Sequence, residues 1–293
     1  MTRVLLIGST GRLGEAFLSL WHKDPQISVQ TLTRSEADLA KPEDLENVLC
    51  SHEFDVLLNA AAMTSLENCL DFPDQAHAIN CESPQVMAAC CREKNSRFVH
   101  FSTDYVFAGH STGKKTESAS PVPVNVYGKS KLAGEQAVLL EYPDAIVSRV
   151  SWLFGSPAQN SRCHLSQLLK RAQQGEAMEL INDKFSIPTF TYDVVNWTTA
   201  LLSKGDARGI YHLCNTGEPE SWHSSAEKFC HIAYEKGVLS SLPQLVAMPI
   251  SEAEFFREQR PINTAMFPGR LINEGIASPR DWIDAAAEYL EIR

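Results

Sequence analysis

The first fourteen residues constrain this chain more than any other stretch. A short apolar run over residues 4–7 leads into Gly8-Ser9-Thr10-Gly11-Arg12-Leu13-Gly14, and a helical pattern continues from residue 15 to about residue 21. Glycines at these places let a backbone turn tightly and approach a pyrophosphate, while the free amides and dipole of the next helix hold its charge. The spacing is G-x-x-G-x-x-G, so the loop taken alone also fits a bare strand-to-helix turn with no ligand.

The same alternation repeats downstream. Apolar runs at 29–33, 55–59, 98–102 and 145–150 read as strands, and helical patterns run over 75–94 and from residue 127 to about 141. Strands that alternate with helices predict an α/β fold, a Rossmann-type doubly wound parallel sheet. After residue 155 the pattern loosens into shorter pieces: helices near 164–174, 194–202 and 225–234, strands near 178–181 and 210–213, and an amphipathic helix from about 281. That portion predicts a smaller, mixed α/β C-terminal substrate domain. The expected division is 1–155 plus about 185–215 for the dinucleotide-binding part, and about 156–184 plus 216–293 for the other.

Within this frame three stretches carry chemistry. The residue after the second strand selects between dinucleotides: a carboxylate there binds a ribose hydroxyl, whereas an arginine accommodates a 2′-phosphate. Arg34 holds that place and Arg12 lies inside the glycine loop, which points to NADPH with NADH as the alternative. Arg34 is equally readable as a surface charge that Glu36 neutralises. The third strand ends in Asn59-Ala60-Ala61-Ala62, whose small side chains leave room for a flat ring system. Finally, Tyr127 and Lys131 lie four apart in a helical pattern and share a face. An ammonium beside a phenol favours the phenolate and brings its pKa toward the working range, which makes the pair a proton source. Thr103, at the end of the run Phe98-Val99-His100-Phe101, adds a hydroxyl for the same substrate oxygen. The Ser-, Lys- and Pro-rich stretch 109–125 reads either as a cover over the site or as a plain surface loop.

Composition excludes several alternatives. With 293 residues the chain buries a full core, and its net charge of −10 argues against a nucleic-acid surface or a polybasic membrane contact. No apolar run approaches the ~20 residues of a membrane span, and the start of the sequence leads directly into a strand pattern, so a cytoplasmic protein is expected. The eight cysteines (Cys50, Cys69, Cys81, Cys90, Cys91, Cys163, Cys214 and Cys230) show no C-x-x-C spacing and read as structural thiols. No metal site is expected.

The motifs together are recognisable. The glycine loop, Asn59-Ala-Ala-Ala, Ser102-Thr-Asp-Tyr-Val-Phe, Asn125-Val-Tyr-Gly-Lys-Ser-Lys, Ser151-Trp152, Trp222-His223 and Arg260-Pro261 resemble the extended short-chain dehydrogenase/reductases, in particular the subgroup that acts on nucleotide sugars. The resemblance implies Thr103, Tyr127 and Lys131 as catalytic residues. It implies cofactor contacts at Gly8, Gly11, Leu13, Asp38, Leu39, Ala60, Ala61 and Lys131, to which we add Thr10, Arg12, Gly14, Arg34, Ala62, Asn80, Ser102 and Tyr127. For a nucleotide-linked deoxysugar it implies Thr64, Thr103, Tyr105, Tyr127, Trp152 and Arg260, to which we add Asp104 and Trp222. The implied reaction is hydride transfer from reduced nicotinamide to the C4 ketone of that sugar; a homodimer stays open.

Two stretches depart from the subgroup, and both are expected near the substrate: Met63, where members often have His, and the end of 260–270, Met-Phe-Pro-Gly-Arg. Related dehydratases carry a Glu where this chain has Tyr105, which disfavours elimination. An epimerase using Cys69 or a histidine as second acid or base remains an alternative. So does a non-catalytic role like that of the regulatory subunit of methionine adenosyltransferase, which resembles these reductases and binds a partner enzyme.

Overall fold

The first strand, Thr2–Ile7, is apolar at both parities, as a strand with both faces buried must be. Val4 and Leu6 enter one core and Leu5 and Ile7 the other, all at 3% exposure or less. It lies inside a parallel sheet with the spatial order Ile27–Leu32, Thr2–Ile7, Val56–Asn59, Arg97–Thr103, Ile146–Val150, Gly209–Leu213. Helices Arg12–Trp21 and Thr191–Ser203 cover one face around Phe17, Phe101 and Trp197. Helices Pro42–Cys50, Ser83–Lys94 and Val126–Glu141 cover the other around Leu45, Met87, Phe98 and Val138. This is the α/β, doubly wound arrangement expected from the alternation. The computed structural model describes residues 1–109, 112–155, 163–254 and 256–292.

The order of strands places the site. From Thr2–Ile7 the chain moves outward to Ile27–Leu32, then returns to pair Val56–Asn59 on the opposite side of the first strand. The connections therefore diverge between the first and third strands, and a crevice opens at their carboxyl ends, where Gly8 and Ala60 stand.

Several elements differ from the sequence reading. The helix expected over 75–94 is three pieces: Pro73–His77, a π-helical turn Ala78–Glu82, and Ser83–Lys94. The wide turn brings the Asn80 carbonyl onto helix Val126–Glu141 at Gly134, where a Cβ would collide with it. Helices Pro42–Cys50, Leu66–Asp71 and Gly269–Asn273 and strand Leu245–Met248 are further elements beyond those expected from the sequence. Pro42 with Glu43 and Asp44 in the first turn was the available clue for one of them.

Beyond the sheet, helices His164–Gln173, Trp222–Glu235 and Trp282–Glu291 enclose a further core of Phe154, Leu169, Phe190, Phe229 and Trp282. Strands Met178–Ile181 and Leu245–Met248 pair in parallel beside it. The boundary expected after residue 155 falls beside 156–162, which lie outside the described residues, as do residues 110 and 111 of the expected 109–125 loop. The described part of that loop is fastened down: Lys115 N–H donates to the Ala265 carbonyl at 2.8 Å, and Phe267 N–H to that of Lys115 at 2.8 Å.

Residues 266–270 pack at the Gly209–Leu213 side of the sheet. Met266 packs with Val106, Phe107 and Cys214, and Arg270 Nη1 donates to the carbonyls of Arg208 at 3.0 Å and Ile210 at 2.9 Å. Glu117 accepts the His212 N–H at 3.2 Å. These side chains cap the outer edge of strand Gly209–Leu213, an edge that would otherwise offer its backbone to another strand. Among the described residues no helix is long and apolar enough to cross a membrane.

Candidate active site

The glycine turn is shaped by close approach. Gly8 has φ +88°, and a Cβ there would stand 2.6 Å from the Ala61 nitrogen. A Cβ on Gly14 would run into the Gly8 carbonyl. Gly11 caps helix Arg12–Trp21 with no side-chain bond, so the first helical amides keep their donors. Leu13 is buried under the loop while Thr10 is exposed on it. Ala60, Ala61 and Ala62 are half-buried at the neighbouring strand end. Ser102 Oγ is buried nearby with no hydrogen-bond partner. A cradle that side chains would fill, free helix amides and an orphaned hydroxyl fit a nicotinamide dinucleotide.

The two arginines take different directions. Arg34 is mostly exposed past the second strand and pairs with Asp38 at 3.6 Å. Glu36, the neutralising partner expected from the sequence, is instead held by Thr33, whose N–H lies 2.8 Å away. Arg12 Nη1 donates to the Leu153 carbonyl at 2.8 Å, next to Trp152 and across the sheet from the strand that leads to Arg34. Leu39 is buried, with its carbonyl accepting from Ser83 Oγ at 2.8 Å. Asn80 is also fully buried; its amide brackets the Met63 backbone at 2.9 and 3.0 Å and donates to Ser130 Oγ at 2.9 Å. It therefore fixes the 59–63 segment from behind.

Helix Val126–Glu141 presents Tyr127 and Lys131 inward, as their spacing requires, at 9% and 1% exposure. Asn125 caps it by accepting the Gly128 N–H at 2.8 Å. A Cβ on Gly128 would strike the Tyr105 carbonyl, so this glycine lets the helix end approach the turn that carries Thr103, Asp104 and Tyr105. Lys131 Nζ donates to the Phe101 carbonyl at 2.7 Å and lies 3.2 Å from His100 Nε2. Thr103 Oγ1 donates to Asp104 Oδ1 at 3.1 Å and accepts the Tyr105 N–H at 3.2 Å. Asp104 is itself buried among the hydroxyls of Ser186 and Thr264.

The electrostatics differ from the sequence expectation. Burial pushes the Tyr127 phenol well above its ordinary value, against a lowering hydrogen bond from Thr103. Burial pulls the Lys131 ammonium down to about 8, with Glu135 and Cys81 opposing. The amine is directed at Phe101 and His100, and desolvation of the phenol outweighs any help from it. Burial raises the Asp104 carboxyl too, with Lys184 opposing. Cys69, the candidate second acid or base, donates to the Met63 carbonyl at 3.4 Å and is pushed up to about 11, mainly by burial. A thiol held that firmly is a poor base.

On the other side of the crevice, Trp152 has φ 41°, a left-handed backbone that a bulky residue rarely adopts. Its ring lies 5.9 Å from that of His164 and 6.4 Å from that of Trp222. Phe256 meets Trp222 edge-on and stacks under the Arg260 guanidinium at 3.7 Å, while Arg260 Nη2 donates to Glu67 at 2.8 Å. Thr64 is exposed, and Met63 packs with Tyr105 and Tyr127. Sequence reasoning missed His100, His164, Phe256 and Lys184. A polar residue inside the apolar strand run 98–101 was a usable signal for the first; the others become neighbours only through folding.

The sequence model of the RmlD substrate binding domain family matches residues 1–293. The chain belongs to that family. Two RmlD relatives are the dTDP-4-dehydrorhamnose reductases of Aggregatibacter actinomycetemcomitans, 30% identical over 96% of each chain, and of Burkholderia thailandensis, 31% identical over 96% of this chain and 95% of that one. The fold matches the crystal structure of the Bacillus anthracis dTDP-4-dehydrorhamnose reductase in complex with NADP, with a TM-score of 0.90, 22% identity and coverage of 100% and 99%.

Proposed function

We propose that this RmlD-family chain reduces the C4 ketone of a nucleoside-diphosphate 6-deoxy-4-ketohexose, as a reductase of the dTDP-4-dehydrorhamnose type using NADPH. One observation carries the reading. Tyr127 and Lys131 are buried on one helix face against the strand that ends in Thr103, at the same end of the sheet as the glycine turn. The family relatives supply the substrate class.

The amides after Gly11 and the Gly8 turn would hold the pyrophosphate, Arg34 the 2′-phosphate, and Lys131 the nicotinamide ribose. Reduced nicotinamide supplies the hydride. Tyr127 gives its proton to the oxygen that becomes an alkoxide; a phenol whose pKa burial has raised keeps that proton until the oxygen is basic enough to take it. Thr103 steadies the same oxygen. Trp152, Trp222 and Arg260 offer two aromatic faces and a cation to the nucleotide end. Free buried thiols fit a reducing compartment such as the cytoplasm.

The test is to incubate the protein with NADPH or NADH and a panel of nucleotide-linked 4-ketosugars while following loss of the reduced-nicotinamide absorbance. Oxidation dependent on a 4-keto-6-deoxy sugar is expected. No turnover with any sugar, together with a stoichiometric protein partner on co-purification, would replace this reading by the regulatory-subunit one.

A further inference from the structure

Asn59, His100 and Lys131 form a buried row beneath the crevice, all at 1% exposure or less, and its donors and acceptors match in one way only. Asn59 Oδ1 accepts the Ala61 N–H at 3.1 Å, which fixes the amide and turns Nδ2 toward His100 Nδ1 at 3.2 Å. A neutral imidazole has one N–H and one lone pair. Receiving the Asn59 hydrogen uses the lone pair at Nδ1, so the ring hydrogen sits on Nε2, aimed at Lys131 Nζ 3.2 Å away. Nζ already donates to the Phe101 carbonyl at 2.7 Å. An ammonium has no lone pair for the Nε2–H, whereas a free amine does.

The charged alternative requires the opposite tautomer, with Nδ1–H facing the Asn59 NH2, or an amide flip that deprives the Ala61 N–H of its acceptor. Either leaves buried donors without partners. Burial acts in the same direction, keeping His100 well below its ordinary value and bringing Lys131 down. The other groups facing the row are Cys81 from the π turn, Tyr127 and Glu135 from the helix of Lys131, and the Phe98 ring against His100. Glu135 is itself taken by Arg149.

We propose that His100 is a positioning residue that favours the free amine of Lys131 in the cofactor-free protein, so that Lys131 gives up its proton at a lower pH than an exposed lysine does, and that at alkaline pH Lys131 takes up a proton from solvent when the ribose hydroxyls of a dinucleotide enter the crevice. The second half rests on the cofactor role of Lys131 in the proposed function; the first does not. Because the Asn59 amide also holds Ala61, against which Gly8 packs, the row links the charge of Lys131 to the backbone that faces the cofactor.

The test is to label the lysines with carbon-13 at Cε, titrate the free protein by NMR, and assign Lys131 by its loss in Lys131→Met. Lys131 should titrate well below the surface lysines, which lie near about 10.4. In His100→Gln, whose amide oxygen can accept from an ammonium, the midpoint should rise by about one pH unit or more, a tenfold or greater shift toward the charged form. Titration of Lys131 together with the surface lysines, or an unmoved midpoint in the variant, overturns the proposal. If His100→Gln does not fold, Asn59→Asp takes its place: a carboxylate accepts Nδ1–H, turns Nε2 into an acceptor and should raise the midpoint as well. An unmoved midpoint there has the same consequence.

Calorimetry of NADPH binding at alkaline pH, in two buffers of different ionisation enthalpy, tests the second half. Proton uptake is expected, and at least twofold less of it in His100→Gln; equal uptake in both overturns that half. Failure to bind NADPH at all, with the NMR shift present, counts against the reductase reading and leaves the His100 assignment standing.

Discussion

Arg149 holds Glu135 through two parallel hydrogen bonds, Nε to Oε1 at 2.9 Å and Nη2 to Oε2 at 2.6 Å, with both side chains at 1% exposure. Glu135 comes one helical turn after Lys131, as Lys131 does after Tyr127, so the pair anchors the helix that carries both to strand Ile146–Val150. Removing one member of such a pair leaves a charge buried alone. Glu135→Gln should therefore lower the unfolding free energy by about 3–5 kcal/mol in urea titration. A loss below about 1 kcal/mol would mean that the pair does not anchor the helix.

Tyr127→Phe removes the proton donor and keeps the ring that packs with Leu66, Cys69 and Ala76. Turnover should fall by about 10²–10⁴-fold while the NADPH dissociation constant, read by fluorescence quenching, changes by less than about threefold. Wild-type turnover in this variant would show that another group supplies the proton.

Arg34 stands exposed after the second strand, with Asp38 at 3.6 Å as its only ion-pair partner among the described residues. Arg34→Ala should weaken NADPH by about tenfold or more and leave NADH nearly unchanged, since a charge-assisted bond to phosphate is worth about 1.5–3 kcal/mol. Equal losses for the two nucleotides would show that Arg34 does not read the 2′-phosphate.

The lowered pKa of Lys131 has a signature in stability. Between about pH 8 and the ordinary lysine value the unfolded chain binds a proton that the folded one does not, so the contribution of Lys131 to stability rises with pH across that window. Below it both states are protonated, and the cost of burying the ammonium is present in full. The difference in unfolding free energy between wild type and Lys131→Met should shift in favour of wild type by about 2–3 kcal/mol from pH 7 to pH 10. A difference that stays flat would mean that Lys131 is not desolvated.

Much of the candidate site was legible because its signals are local. The turn Gly8–Gly14, the four-residue interval from Tyr127 to Lys131 and the strand end at Thr103 arise from helix and strand periods. Other features were not legible because they depend on contact between distant segments. The π turn at Ala78–Glu82 reflects how that segment crosses Gly134. The place of Arg270 at the sheet edge depends on the carbonyls of Arg208 and Ile210 that it meets there. The raised phenol of Tyr127 reversed a local argument: one neighbouring charge mattered less than full removal from water.

The amino-acid order by itself determined the alternation of strands and helices, the glycine turn and the shared face of Tyr127 and Lys131, because each is set by interactions within a few residues. Tertiary structure alone decided which way Arg12 points, that Glu36 turns to Thr33 and leaves Arg34 to Asp38, and that Asn59, His100 and Lys131 form one buried row. The reason is physical: hydrogen-bond partners and desolvation are set by what packs nearby in space, and residues 59, 100 and 131 meet only once two parallel strands and a helix have assembled.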